Sequence, residues 1–166
     1  LKLNKLEKQA ITPVAEEYDL CGQLAECAVN YEPVWEKKDI GFDADMEDSI
    51  KITADAALME IVWNNLFSNA VKFTEPGGTI KLTEQSDDSE IRVSVEDNGC
   101  GFPPEMLASF PVKEDNGHVG LSNLYHTLQL IYGPAASLHI SNAEPNGARV
   151  TVFLPEEENH AHPSRG

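Results

Sequence analysis

The spacing of apolar residues changes along the chain, and each change marks an element. Leu3, Leu6 and Ala10 recur at helical intervals, so residues 1–10 read as the end of a helix. Residues 11–18 contain Pro13 and read as an extended connector. Asp19 is placed to cap a helix carrying Leu20, Leu24, Cys27, Ala28 and Tyr31, and Pro33 should kink or end it. Residues 40–43 and 50–53 alternate like two short strands joined by an acidic turn at 45–48. A long apolar helix then runs from Asp55 to about Phe73 and stops at Glu75-Pro76-Gly77-Gly78. Alternation returns at 79–85 and 90–97, either side of a polar hairpin. Residues 102–119, with Pro103, Pro104 and Pro111, predict a short helix and a loop. A helix from about Gly120 to Tyr132 ends at Gly133-Pro134. Strands at 137–141 and 148–154 flank the hairpin signal Asn146-Gly147. The polar residues 156–166 predict a disordered tail.

Strand pairs separated by helices predict an α/β protein. The expected architecture is a two-layer sandwich, a mixed sheet with helices on one face. The predicted units are a helix end at 1–10, one domain over 11–155 and the tail. A chain of 166 residues with 41% hydrophobic and 24% charged residues suits one soluble domain. The formal net charge of -16 excludes nonspecific nucleic-acid binding, which needs clustered Lys and Arg. Any phosphate ligand must therefore find local positive potential. Cys21, Cys27 and Cys100 lack metal spacing, and a reduced compartment is expected. Residue 1 is Leu, which suggests a piece of a longer protein.

Three motifs carry candidate chemistry. On the long helix, Asn65, Asn69 and Lys72 fall at i, i+4 and i+7 and share a face. Each Asn costs a helix roughly 0.5 kcal/mol relative to Ala, so the set calls for a reason. An amide oxygen is a hard neutral ligand suited to Mg²⁺, and Lys72 can supply a point charge to phosphate; a solvated face is the alternative. Asp97 ends a strand and opens Asp97-Asn98-Gly99-Cys100-Gly101. Its carboxylate can accept a hydrogen bond from an exocyclic base amine, and the glycines let a flat base approach the backbone; ordinary turn chemistry is the alternative. Gly117-His118-Val119-Gly120-Leu121 opens a later helix, where backbone N–H groups attract phosphate. Together the three point to an ATP site.

These residues resemble the histidine-kinase ATP-binding domain, of the wider GHKL group. Asn65-x-x-x-Asn69-Ala70-x-Lys72-Phe73-Thr74 is similar to its N-box, Asp97 to Gly101 to its G1 box, and Gly117 to Asn123 to its G2 box. The resemblance spans roughly residues 11–155. It implies a Bergerat-type fold with ATP and Mg²⁺ as cofactors. Asn69 and Asn65 would hold the metal and phosphates, with Lys72 on phosphate and Phe73 beside it. Asp97 would read adenine, with Gly99, Gly101 and Phe102 lining the base. Gly117, His118, Val119, Gly120 and Leu121 would form the phosphate-side turn, and 102–119 the lid. Residues 1–10 resemble the tail of a dimerisation helix.

The chain departs from the family pattern at several places. Gly147-Ala148 stands where Gly-Thr is usual, and the lid is short, with Phe110 as its candidate phenylalanine. Gly120-Leu121-Ser122-Asn123-Leu124 is closer to LytS/YesM-like kinases. No His lies in a phosphoacceptor context, so the acceptor is expected outside the chain. Asn65 stands where gyrase-like members carry a general-base Glu, which implies little intrinsic hydrolysis.

The expected function is therefore the catalytic domain of a two-component sensor histidine kinase. It would transfer the γ-phosphoryl group of ATP to an external histidine and thence to a response regulator. The implied partners are an upstream dimerisation and phosphoacceptor domain and a response regulator. The full protein would be a homodimer, with this part cytoplasmic and making no membrane or nucleic-acid contact. The alternatives are a nucleotide-binding module without transfer activity and an anti-sigma type serine kinase.

Overall fold

The computed structural model describes residues 12–109 and 119–156. The predicted helix end at 1–10, most of the predicted tail, and Gly117 and His118 lie outside the described residues.

Strand β1 (Glu16–Asp19) leads into α1 (Leu20–Asn30) and α2 (Glu32–Lys37). Strands β2 (Gly41–Asp45) and β3 (Lys51–Ala54) precede the long helix α3 (Ala56–Phe73). Next come β4 (Thr79–Ser86), β5 (Glu90–Asp97), the short α4 (Pro104–Ser109) and α5 (Val119–Tyr132). A 3₁₀ turn at Gly133–Ala135 leads to β6 (Ser137–Asn142) and β7 (Ala148–Pro155). The main sheet has five strands in the order β2-β4-β5-β7-β6. Only the β2–β4 pair is parallel, so the sheet is mixed, as predicted.

One side of each central strand is apolar. Ile80, Leu82, Ile91, Val93, Val95, Val150, Val152 and Leu154 are buried with the helices. Their neighbours Lys81, Arg92, Ser94, Glu96, Arg149 and Thr151 face the other way, and among the described residues this outer face carries no helix. The arrangement is the expected two-layer sandwich: a period-two strand pattern can bury only one face.

Helix starts follow side-chain capping. The Asp19 carboxylate accepts from the N–H groups of Cys21 and Gly22, both at 3.2 Å. Asp55 accepts the Leu58 N–H at 3.0 Å through one oxygen and the Val14 N–H at 2.8 Å through the other. The helix ends before Pro33, as expected: α1 stops at Asn30, and Pro33 then occupies the first turn of a second helix, α2. Trp35 of α2 stacks on Phe42 at 4.2 Å between ring centroids.

One detail differs from the sequence expectation. Strands β2 and β3 do not share a sheet: β2 joins β4, and β3 pairs with β1, drawn from what had been read as a connector. The segment between them is pulled across the end of the sheet by long-range bonds. The Glu47 N–H donates to Glu84 Oε1 at 2.8 Å, and Ser49 and Ile50 both donate to Asp19 Oδ1 at 3.1 Å. Local alternation reports that a strand forms and is silent about its partner.

Candidate nucleotide site

The site is built where the C-terminal end of α3 meets the end of β5. Helix α3 buries Leu58, Met59, Val62, Trp63, Leu66, Phe67, Ala70 and Val71, and this fixes its rotation against the sheet. The face that remains carries Asn65, Asn69 and Lys72. Asn69 is only 8% exposed, Asn65 is half-buried and Lys72 is exposed. Neither amide side chain has a hydrogen-bond partner among the described residues. Lys72 makes no ion pair among the described residues, and its Nζ lies 5.2 Å from the Phe73 ring centroid. Its charge is therefore not spent on a carboxylate, in a chain of net charge -16.

Asp97 is the last residue of β5 and is 6% exposed. Its Oδ1 accepts two backbone bonds, from Gly99 at 2.8 Å and Ala148 at 3.3 Å. Its Oδ2 has no partner among the described residues. One oxygen thus locks the carboxylate to the turn while the other remains an acceptor. Burial pushes the carboxyl above the usual carboxylate range, and Glu96 adds to this, whereas the bonds from Gly99 and Ala148 pull it down.

The loop after Asp97 fits only with glycines at particular places. A Cβ on Gly99 would collide with the carbonyl oxygen of Phe73, so this position lets the α3 end and the β5 loop touch. A Cβ on Gly147 would collide with the carbonyl oxygen of Asp97. The rest of the loop is held by amides. Asn98 Oδ1 accepts the Thr79 N–H at 2.9 Å, and Asn146 Nδ2 donates to the carbonyls of Asn98 at 2.8 Å and Gly99 at 3.3 Å. Asn142 Oδ1 accepts the Phe102 N–H at 2.7 Å, and its Nδ2 donates to the Phe102 carbonyl at 3.2 Å.

Asn65, Asn69, Lys72 and Phe73 run along the C-terminal half of α3, and the Phe73 carbonyl at its end meets Gly99 of the loop that follows Asp97. Phe102 and Leu121 are buried in the core, so any contact they offer a ligand comes from their backbone. Val119 and Gly120 lie in the first turn of α5. Asn98, Asn142 and Asn146 were not singled out as site residues. Asn98 and Asn146 sit inside recognised turn signals, whereas Asn142 ends a strand and belongs to no motif.

Comparison with known proteins bears on the family and the fold. Residues 54–158 match the family described as histidine kinase-, DNA gyrase B-, and HSP90-like ATPase. The sensor protein LytS of Bacillus subtilis (strain 168) is 26% identical over 164 residues, covering 93% of this chain and 27% of LytS. The chain spans 20–27% of the length of curated relatives of this kind. The solved catalytic domain of histidine kinase ThkA is 26% identical with a TM-score of 0.77, covering 86% of this chain and 97% of that one. Full-length ShkA in complex with AMPPNP is 25% identical with a TM-score of 0.75, covering 92% of this chain and 33% of that one. With the family matched through both the long helix and the Asp97 loop, the chain belongs to the histidine kinase-, gyrase B- and HSP90-like ATPases, in the form of a histidine-kinase ATP-binding catalytic domain.

Proposed function

We propose that this chain is the ATP-binding part of a cytoplasmic sensor-kinase module that presents the γ-phosphoryl group of Mg²⁺–ATP to a histidine on a dimerisation domain. A response regulator would be the next acceptor. The observation that carries this is the set of unspent polar groups on two touching elements: the Asn65 and Asn69 amides, the Lys72 ammonium and Asp97 Oδ2.

Those residues fit the nucleotide and its metal by their donor chemistry. Asp97 Oδ2 offers an acceptor to the exocyclic amine of adenine. Asn69 and Asn65 offer neutral oxygens to a hard cation that keeps part of its water. Lys72 offers positive charge to phosphate, which suits a domain otherwise strongly negative. When bound, Mg²⁺ would neutralise charge on the transferring phosphoryl group.

Glu60, the sole carboxylate on α3, is exposed, and the polar stripe itself holds only amides and a lysine. The stripe therefore supplies no proton acceptor for water. Positioning favours transfer to an external imidazole over hydrolysis. The structure of ShkA with AMPPNP, an ATP analogue, supports a nucleotide in a related domain.

The test is to mix this chain with a separately produced dimerisation domain and Mg²⁺–ATP. Acid-labile, base-stable phosphate on the dimerisation domain is expected. Nucleotide binding without such transfer would favour a silent binding module.

A further inference from the structure

Residues 98–103 belong to no helix or strand, yet they carry the glycines that border the Asp97 carboxylate. Irregular backbone of this kind is set by whatever satisfies its N–H and C=O groups. Asn146 takes the carbonyls at the start of the loop, and Asn142 takes the peptide groups at its end.

The Asn142 contact resembles a β-bridge made by a side chain. One amide accepts from the Phe102 N–H at 2.7 Å and donates to the Phe102 C=O at 3.2 Å. Asn142 is itself fixed, as the last residue of β6, paired with Ala148. Ala148 in turn donates its N–H to Asp97 Oδ1. The residue that locks the Asp97 carboxylate and the residue that locks Phe102 are thus neighbours across one strand pair. Between them lies Gly101, at φ +81°, whose Cβ position is 3.0 Å from Asn142 Oδ1 and 3.1 Å from the Gly147 carbonyl. The loop lies flat on the β6–β7 connection.

We propose that Asn142 is a positioning residue for nucleotide binding, acting through the Gly101–Phe102 backbone that it pins beside Asp97. This rests on the ATP site proposed above. The side chain has the right length and both polarities. Alanine makes neither bond, and aspartate keeps only the acceptor.

The test combines binding of Mg²⁺–AMPPNP by calorimetry with amide exchange in the free protein. In the unmodified protein the Phe102 amide is expected to exchange at least about tenfold more slowly than an unstructured chain. Asn142→Ala should weaken AMPPNP binding about tenfold and speed exchange at Phe102, with the β5–β7 ladder amides unchanged. Asn142→Asp, which retains the acceptor, should keep Phe102 protected and lose less affinity than Asn142→Ala.

An unprotected Phe102 amide in the unmodified protein overturns the proposal and needs no variant that folds. Binding by Asn142→Ala within twofold of the unmodified protein overturns it too. So does an affinity loss accompanied by loosening of the whole ladder, which marks a purely structural role. Failure of the unmodified protein to bind AMPPNP sinks the ATP site, and this proposal with it; normal binding with an indifferent Asn142→Ala sinks this proposal alone.

Discussion

The α-carbon of Gly147 packs against the carbonyl of Asp97 so closely that no side chain fits between them. Gly147 also has φ +120°, a backbone conformation that side chains oppose. Gly147→Ala should therefore cost about 2–3 kcal/mol, read as a lower urea midpoint at unchanged slope. Adenine-nucleotide affinity should fall with it, because the obstructed group is Asp97, the residue proposed above to read the base.

Asp97→Asn separates recognition from folding. An amide keeps an oxygen for the Gly99 and Ala148 N–H groups and places a donor where Oδ2 was an acceptor. Facing the adenine amine, donor meets donor. Calorimetry should show affinity for AMPPNP reduced about a hundredfold. Folding stability at neutral pH should hold or rise, since burial disfavours the native charge.

How far this arrangement was legible depends on the residue. Asp19 and Asp55 announce helix starts and Pro33 a helix end through local chemistry, and all three act where expected. Asn65, Asn69 and Asp97 were visible as spacings, because one helix face and one strand end are local facts. The partner of β2 was not visible, since it is decided by β4, more than thirty residues away, and by Glu84 reaching the 46–50 segment. Asn142 was invisible for the same reason: its partner, Phe102, lies forty residues earlier.

Lys72 makes a cleaner phosphate probe than the asparagines, because it is exposed and makes no ion pair among the described residues. Lys72→Ala should change stability by less than about 0.5 kcal/mol. It should weaken AMPPNP binding about five- to tenfold while leaving adenosine binding unchanged. Equal losses for both ligands would place Lys72 away from phosphate.

Glu84 gives the fold a pH dependence of its own. The residue is 1% exposed; Oε1 accepts from Glu47 N–H and, at 3.4 Å, from the Cys21 thiol, and Oε2 is buried with no hydrogen-bond partner among the described residues. Burial first, and then the Glu47 carboxyl, push its pKa from 4.5 up to about 7. A raised carboxyl contributes stability that is complete below the unfolded value and is lost as pH climbs through the folded one. Stability should thus fall by on the order of 2–3 kcal/mol between about pH 4.5 and pH 7 from this group. Urea titrations at pH 5 and pH 8 should differ less in Glu84→Gln than in the unmodified protein.

The double duty of Asp55 ties the segment that enters β1 to the long helix α3. One carboxylate holds the Val14 N–H and caps α3, whose 18 residues run roughly 27 Å to Lys72 and Phe73. Residue 14 and the helix start therefore share a single pivot. A tug on the chain at Val14 is felt as uncapping, worth about 1 kcal/mol, at the root of the rod whose tip carries the lysine and its aromatic neighbour.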